Sequence, residues 1–422
     1  MPAVSRLLPV ALLAFAVAGC ASPPAQERMG ERLRGGDAER ALEAIDAWNA
    51  GGRNEVLVGL ERGMLLRRQG RLAESIEAFE ATKRQLGDLE PISVSETLAE
   101  WTLAESAGAY QASVHERLLL HSMQILNFLE SGDLDAARVE ATQADLTLRR
   151  IDPGRGAAPY GGDASLRYLS GIVFEAAGER SDAAIAYRHA VRRYRDRDTP
   201  VPRDLQHRLV RLLGGIGLDD EQAEWLERFG LDEVPEAPPA EWGELIVVVH
   251  GGLAPRLGQT NIAAQDPRSG QLYRLSMPKV QRAGDPVRGL RVTSGGESAS
   301  GDRIESVNGL VEAWVDQQVP LLISRALGRN VVRHQVASRL REENPALGAL
   351  VNVVGFLAEQ PDQRLWRSLP ESLWLVRLPL PSGSHRPRVH VGRGGGDERR
   401  LTLDGPVRIR PGETVVRSLY RP

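Results

Sequence analysis

Between residues 166 and 194 the sequence LRYLSGIVFEAAGERSDAAIAYRHAVRRY places apolar residues at helical spacing on both sides of Gly178. Two amphipathic helices joined by so short a turn must pack on each other, because neither buries its apolar face alone. Gly171 and Ala183 are small where the helices approach, and Ala190 continues the small positions. Phe174 and Tyr187 are large enough to fill the groove toward a neighbouring pair. The form recurs at 61–86, where Gly63, the turn glycine Gly70 and Phe79 keep the register, with Ser75 and Thr82 at the small positions. It recurs again at 124–148 around Gly132, with Phe128 and Ala137 but Ala141 where an aromatic would stand. A shorter stretch, 36–48, puts Leu42, Ile45 and Trp48 on one helix face.

The 166–194 segment resembles a tetratricopeptide repeat (TPR). Gly70, Gly132 and Gly178 are not separated by multiples of the usual ~34-residue period, so the array is irregular and carries insertions. The Gly- and Pro-rich stretch 152–163 reads as one of them. The expectation for residues 30–231 is a TPR-like α-solenoid, a form that presents an extended surface to a protein or peptide. The Arg-rich run 188–198 reads as a solvated helix face ending in a loop.

The N-terminus reads as a targeting segment. Arg6 precedes the apolar run 7–18, which is too short for a span of ~20 residues. Ala18 and Gly19 stand directly before Cys20, matching the bacterial lipobox, in which the cysteine takes a diacylglyceryl group. Cys20 is the only cysteine of the 422 residues, which excludes an intrachain disulfide and a CxxC site. Residues 1–19 are therefore read as a signal peptide and 20–29 as a lipidated tether. The resemblance implies a membrane anchor. Ala21 in place of Asp favours the outer membrane, with the body facing the periplasm. The net charge of −3 gives no electrostatic case for nucleic acid.

Residues 232–242 hold three prolines and four acids and read as a linker. Beyond them the pattern turns to strands, predicted at 244–250, 271–277 (ending at Pro278), 372–380, 386–391, 400–410 and 414–420. A helical block is predicted at 304–360, kinked or divided at Pro320. Its last part, 344–360, is very apolar. It either packs on the sheet or forms the inner face of a helical hairpin seated in the solenoid. The whole reads as a multidomain chain: a TPR-like helical solenoid, then a mixed α+β C-terminal domain over 243–422.

Three places in this half resemble an uncharacterised family of proteobacterial envelope lipoproteins. One is the strand followed by a G-x-A-P turn, here Gly252, Ala254 and Pro255. The second is a D-x-R-x-W-x-x-L-P pattern, carried by Asp362, Arg364, Trp366, Leu369 and Pro370. The third is LPSGSH, with Pro381, Gly383 and His385. The resemblance implies an architecture and a location but no activity. Read physically, Trp366 stands between Arg364 and Arg367. It suits a corner that fixes the fold, with Arg364 paired to Asp362 or stacked on the ring. The other reading is a hot spot for a partner.

His250-Gly251-Gly252 after a β-branched run invites comparison with an oxyanion turn. Such a hydrolase needs a nucleophile, and the chain has no G-x-S-x-G. The nearest serine, Ser298, falls in the Gly/Ser-rich stretch 295–301, which reads as a loop. No H-E-x-x-H or Walker motif occurs, and no metal or cofactor is expected. The favoured expectation is a noncatalytic scaffold that binds an unidentified envelope protein. The alternatives are an envelope hydrolase using His250, Gly251 and Gly252, and a structural component that oligomerises through 344–360. His250 is expected to hydrogen-bond locally.

Overall fold

The computed structural model describes residues 24–48, 52–88, 109–151, 162–265, 272–282, 284, 286–320, 362–392 and 398–421. Cys20, the signal segment and the apolar stretch 344–360 lie outside the described residues.

Among the described residues the helical half consists of helix pairs. They are α1 (Pro24–Arg34) with α2 (Ala38–Asp46), α3 (Glu55–Arg68) with α4 (Leu72–Asp88), and α5 (Val114–Ser131) with α6 (Leu134–Ile151). α7 (Asp163–Ala176) with α8 (Arg180–Asp196), and α9 (Arg203–Gly215) with α10 (Asp219–Phe229), complete the series. The expected turn glycines Gly70, Gly132 and Gly178 have φ of 72°, 77° and 76°, the left-handed conformation that a side chain would strain. Inside the pairs the small–large complementarity is tight. A Cβ on Gly63 would lie 2.4 Å from the Phe79 ring, and one on Gly171 would lie 2.3 Å from the Tyr187 ring. At the same register in α5–α6 the sizes are exchanged: Ile125 stands on the first helix and Ala141 on the second, both buried.

Residues 24–29 depart from the expected tether. They form the first turns of α1, with Ala25, Gln26 and Met29 buried. The sequence carries the signal, since Ala25, Met29 and Leu33 recur at four-residue spacing and make one apolar stripe.

Among the described residues eleven strands follow: β1 (Trp242–Gly251), β2 (Arg256–Gln265), β3 (Leu272–Gln281), β4 (Gly289–Ser294), β5 (Glu297–Ser306), β6 (Ser372–Pro381), β7 (Gly383–His385), β8 (Arg388–Gly392), β9 (Glu398–Thr402), β10 (Val407–Ile409) and β11 (Thr414–Arg421). Seven make one mixed sheet in the order β11-β1-β6-β5-β4-β8-β9, with β1 and β11 parallel. β2 pairs with β3, and β7 with β10, in small antiparallel sheets. A helix, α11, covers 307–320 between β5 and β6.

Several expectations are corrected here. β3 runs on past Pro278, which sits opposite Gln259 in a two-stranded sheet where a missing N–H costs little. The stretch 295–301 is no loop: Gly295 and Gly296 turn the β4–β5 hairpin, and Ser298 lies within β5. Residues 304–306, expected to open the helical block, end β5. The predicted strand 400–410 is divided by Asp404 and Gly405 into β9 and β10.

The sheet is covered on both faces, so β1 reads as an unbroken apolar run. Ile246 and Val248 join the core shared with the helices. Leu245, Val247 and Val249 join a second core with Val292, Leu378, Val389 and Ile409. The first helices of the pairs record the same arrangement. α5 and α7 are buried over most of their circumference, whereas α6 and α8 bury one stripe. α5 and α7 are held between their own second helices and the sheet, α5 against β11 and α7 against β5.

Candidate functional site

The sequence singled out the turn after β1, and the structure shows its N–H groups in use. Gly252, at φ 63°, donates its N–H to the Arg421 carbonyl at 2.7 Å, and Ala254 donates to the Leu369 carbonyl at 2.7 Å. A Cβ on Gly252 would meet the Glu371 side chain at 2.7 Å, so only glycine fits there. Pro255 is buried beside it. An oxyanion site needs N–H groups aimed at an open position; these two are aimed at carbonyls.

His250 is fully buried, and its partner is not local as expected. Its Nε2 lies 3.3 Å from Ser418 Oγ on β11, and its ring stacks on Tyr420 at 4.4 Å between centroids and 24°. Burial and the neighbouring Arg67 and Arg68 push its pKa well below the ordinary value, so the imidazole is neutral. The Ser418 hydroxyl donates to Glu130 and accepts from Arg67 at 2.8 Å. The hydroxyl nearest the histidine is thereby committed to a network joining α3, α5 and β11.

The D-x-R-x-W-x-x-L-P segment meets this turn. Glu371 donates its N–H to the Gly251 carbonyl at 2.9 Å, alongside the Ala254–Leu369 bond. Two of the three family-like motifs are thus one structural unit. Trp366 is fully buried and packs edge-on against Phe79, with centroids 5.8 Å apart. Three consecutive backbone N–H groups of the segment are taken up by buried carboxylates of the helical half. Trp366 donates to Glu116 at 2.8 Å, and Arg367 and Ser368 donate to the two oxygens of Glu61 at 2.9 Å each. Glu61 also accepts from Gln26 at 2.9 Å. Burial raises the Glu61 pKa even against these hydrogen bonds. Glu116 serves twice, since it also closes a capping box with Ser113 at the start of α5. Arg364 pairs with Asp362, reaches Asn54 at 2.8 Å, and lies 5.5 Å from the Tyr110 ring centroid. The aromatic under Arg364 is therefore Tyr110, not Trp366. Leu369 and Pro370 are buried in the same corner. The third motif lies elsewhere: Gly383 and His385 pair with β10, and His385 Nε2 contacts the Pro381 carbonyl at 2.7 Å.

The pair α7–α8 meets the sheet through charge. Arg377 of β6 donates to Glu244 of β1 at 2.9 Å and to Glu175 of α7 at 3.0 Å. Arg208 of α9 bridges the same two carboxylates. Tyr187 donates its hydroxyl to Glu175 at 2.6 Å and accepts from Arg377 at 3.2 Å. Burial works to raise the Glu175 pKa, but Arg377 and Arg208 outweigh it and hold it at about 2. Where the β5–β6 register shifts near Ile304, the Ile304 carbonyl accepts from Tyr194 at 2.7 Å. The sequence marked Tyr187 as groove-filling and missed Glu61, Glu175, Glu244 and Arg377. A charged residue inside an apolar strand, as in "WLVRLPL", is the signal that could have found Arg377.

Tyr187 is fully buried and Phe174 packs on the core, so neither lines an open recognition groove. Among the described residues, an open groove of about 660 Å³ lies instead at the other side of α3, between Trp48, Gly52, Glu55, Glu77, Ala81 and Gln85. Its floor is flat at Gly59, where a Cβ would collide with Thr82. Arg62 and Glu74 on its wall are paired with Asp46 and Arg71.

No family model matches this chain, and no curated protein matches it. Solved structures align with about half of it. MamA (41-end) from Desulfovibrio magneticus RS-1 is 14% identical, covering 50% of this chain and 96% of that one, with a TM-score of 0.31. Another MamA crystal structure is 15% identical over 51% of this chain and 96% of that one, at 0.31. BtubC from P. vanneervenii is 16% identical over 57% and 96%, at 0.33. The helical half followed by a mixed sheet is established by this chain's own elements.

Proposed function

We propose that the chain is a lipid-anchored, noncatalytic scaffold of the cell envelope, held at the outer membrane through Cys20, and that it binds another envelope protein. The observation that carries the reading is the division of surfaces on the helical array. The C-terminal half packs on first helices of the array, while the groove between Trp48 and α4 is open among the described residues. Helix-pair arrays offer extended surfaces to peptides. Here the accessible one carries Glu55 and Glu77 beside small and apolar residues. Its chemistry suits a basic segment with apolar side chains. The commitment of the Gly252 N–H and of Ser418 to structural bonds supports a noncatalytic role. Near-neutral charge supports a protein partner over nucleic acid.

A photo-crosslinking side chain at Ala81 tests this in cells. The expected result is a discrete adduct with one envelope protein, lost when Glu55→Lys and Glu77→Lys are combined while the melting temperature holds. An adduct that persists unchanged in that variant, or none at all, overturns the reading. Turnover of an ester or amide that His250→Ala abolishes in a folded protein would replace it with the hydrolase reading.

A further inference from the structure

We propose that Thr147 is a modification site: an activated hydroxyl, primed by His121 and Glu140, that takes an acyl group from an activated ester. None of these residues lines the open groove.

Hydroxyls inside a helix commonly turn back to the carbonyl four residues earlier. In this chain Thr82 does so to Ala78 at 2.8 Å, Ser122 to Leu118 at 3.1 Å, Thr142 to Arg138 at 3.0 Å and Ser170 to Leu166 at 2.9 Å. Thr147 also stands inside a helix, α6, but its hydroxyl goes elsewhere. Its Oγ1 lies 3.0 Å from Nε2 of His121 on α5. That is the reach a nucleophile needs to its general base.

The contacts behind His121 fix where its proton lies. His121 Nδ1 is 2.6 Å from Oε1 of Glu140. The other oxygen of Glu140 accepts from Lys83 of α4 at 2.6 Å, and Lys83 also pairs with Glu80. Burial works to raise the Glu140 pKa, but its bonds to His121 and Lys83 lower it, so the carboxylate is ionised. An ionised carboxylate only accepts, so Nδ1 carries the proton and donates. Nε2 of the neutral imidazole is then left to accept from the Thr147 hydroxyl. Carboxylate, imidazole and hydroxyl stand in the order in which an acid orients a base and the base activates a nucleophile.

Burial is graded along the same line. Glu140 is 2% exposed and His121 7%, whereas Thr147 is half-buried. The relay therefore runs from a sealed carboxylate out to a hydroxyl that a reagent can reach. Gln143 lies one turn before Thr147 on the same side of α6 and is exposed. Its carbonyl oxygen accepts from Lys83 at 3.0 Å, which leaves its amide N–H groups as donors for a developing oxyanion.

The step balances with the ester as sole co-reactant. Thr147 Oγ1 attacks the ester carbonyl carbon while its proton passes to His121 Nε2. The carbon–oxygen bond to the leaving alcohol breaks, and the leaving oxygen takes that proton from His121. The products are an acylated threonine and a free alcohol, with the imidazole neutral again. Glu140 is a positioning residue: it holds the tautomer and stabilises the transient imidazolium.

The full chain treated with p-nitrophenyl acetate and mapped by peptide mass spectrometry tests this. Hydroxylamine removes an O-acetyl ester and spares acetylated lysine. Thr142 is the internal control, because it sits on the same helix, is more exposed, and bonds a carbonyl instead of a base. Thr147 is expected to acetylate about a hundredfold faster than Thr142, the size of a general-base contribution. Thr147→Ser should keep the adduct. His121→Asn, whose amide can still donate to Glu140 but offers no base, should slow labelling of Thr147 by about a hundredfold while the melting temperature holds. Labelling of Thr147 no faster than Thr142 overturns the proposal, and so does an unchanged rate in folded His121→Asn. Should His121→Asn fail to fold, the ratio of Thr147 to Thr142 in the native chain decides between the same two outcomes.

Discussion

The pairs α3–α4 and α7–α8 solve one packing problem in one way and then meet the sheet in opposite ways. In each, a glycine on the first helix receives an aromatic ring from the second: Gly63 takes Phe79, and Gly171 takes Tyr187. Beyond the ring the two diverge. Phe79 ends in an apolar contact with Trp366, and the sheet-side segment is held by carboxylates that accept backbone N–H bonds. Tyr187 adds a hydroxyl, and that hydroxyl enters an ion network with Glu175 and Arg377. Helix pairing is thus fixed by volume at repeating positions. Docking of the sheet is fixed by unrepeated polar chemistry.

Removing one member of the ion network should cost most. Arg377→Ala leaves Glu244 with Arg208 alone and Glu175 with Arg208 and Tyr187, and a broken buried pair costs about 3–5 kcal/mol. Denaturant unfolding should show that loss. Glu61→Ala strands two buried N–H groups at ~1–3 kcal/mol each, so it should approach the Arg377 effect. A much smaller loss at Glu61 would show that water replaces the carboxylate and that only the ionic seam is buried effectively.

The shared half of the comparison comes next. Gly63→Ala and Gly171→Ala each drive a methyl into a ring, and overpacking of this kind costs about 1–3 kcal/mol. Equal losses would confirm that the two pairs share one packing rule. Exchanging the aromatics is a finer test. Tyr187→Phe removes a hydroxyl from Glu175 and Arg377 and should cost about 1–2 kcal/mol. Phe79→Tyr places a hydroxyl beside Trp366 and should destabilise by a similar amount, read as a shift in the melting midpoint.

The same contrast explains what was legible in the sequence. Helix pairs with turn glycines at 70, 132 and 178 were legible because a 3.6-residue period and a positive-φ turn are local properties. β1 was legible because burial on both faces leaves an unbroken apolar run. β2, β4, β5 and β7 were not: their Gly-, Ser- and polar-rich sequences become strands through partners far away in the chain. Residues 24–29, the first turns of α1, read as tether because Pro23 and Pro24 follow so soon after Cys20, yet Ala25, Met29 and Leu33 form a stripe. The corner at 362–370 stood out as a motif. That its N–H groups meet Glu61 and Glu116 was not readable, because a glutamate on a helix normally signals solvent. Nor could a repeat pattern say which face of the array the chain itself would cover.

Acid titration gives the most selective effect, because the two seams respond with opposite sign. Glu175 has its pKa lowered to about 2, from an ordinary 4.5. Its contribution is complete above the unfolded value and disappears as pH falls from about 4.5 through about 2. Glu61 has its pKa raised by burial. Its folded form holds a proton more readily than the unfolded chain, so its contribution is complete below the unfolded value and is lost as pH rises through the folded one. Glu175→Gln should therefore flatten the acid-side loss of stability. Glu61→Gln should flatten a loss on the rising side of the carboxylate range. Unfolding free energies measured between pH 2 and 7 should separate the two, and identical profiles would mean that the two ways of docking the sheet are electrostatically alike.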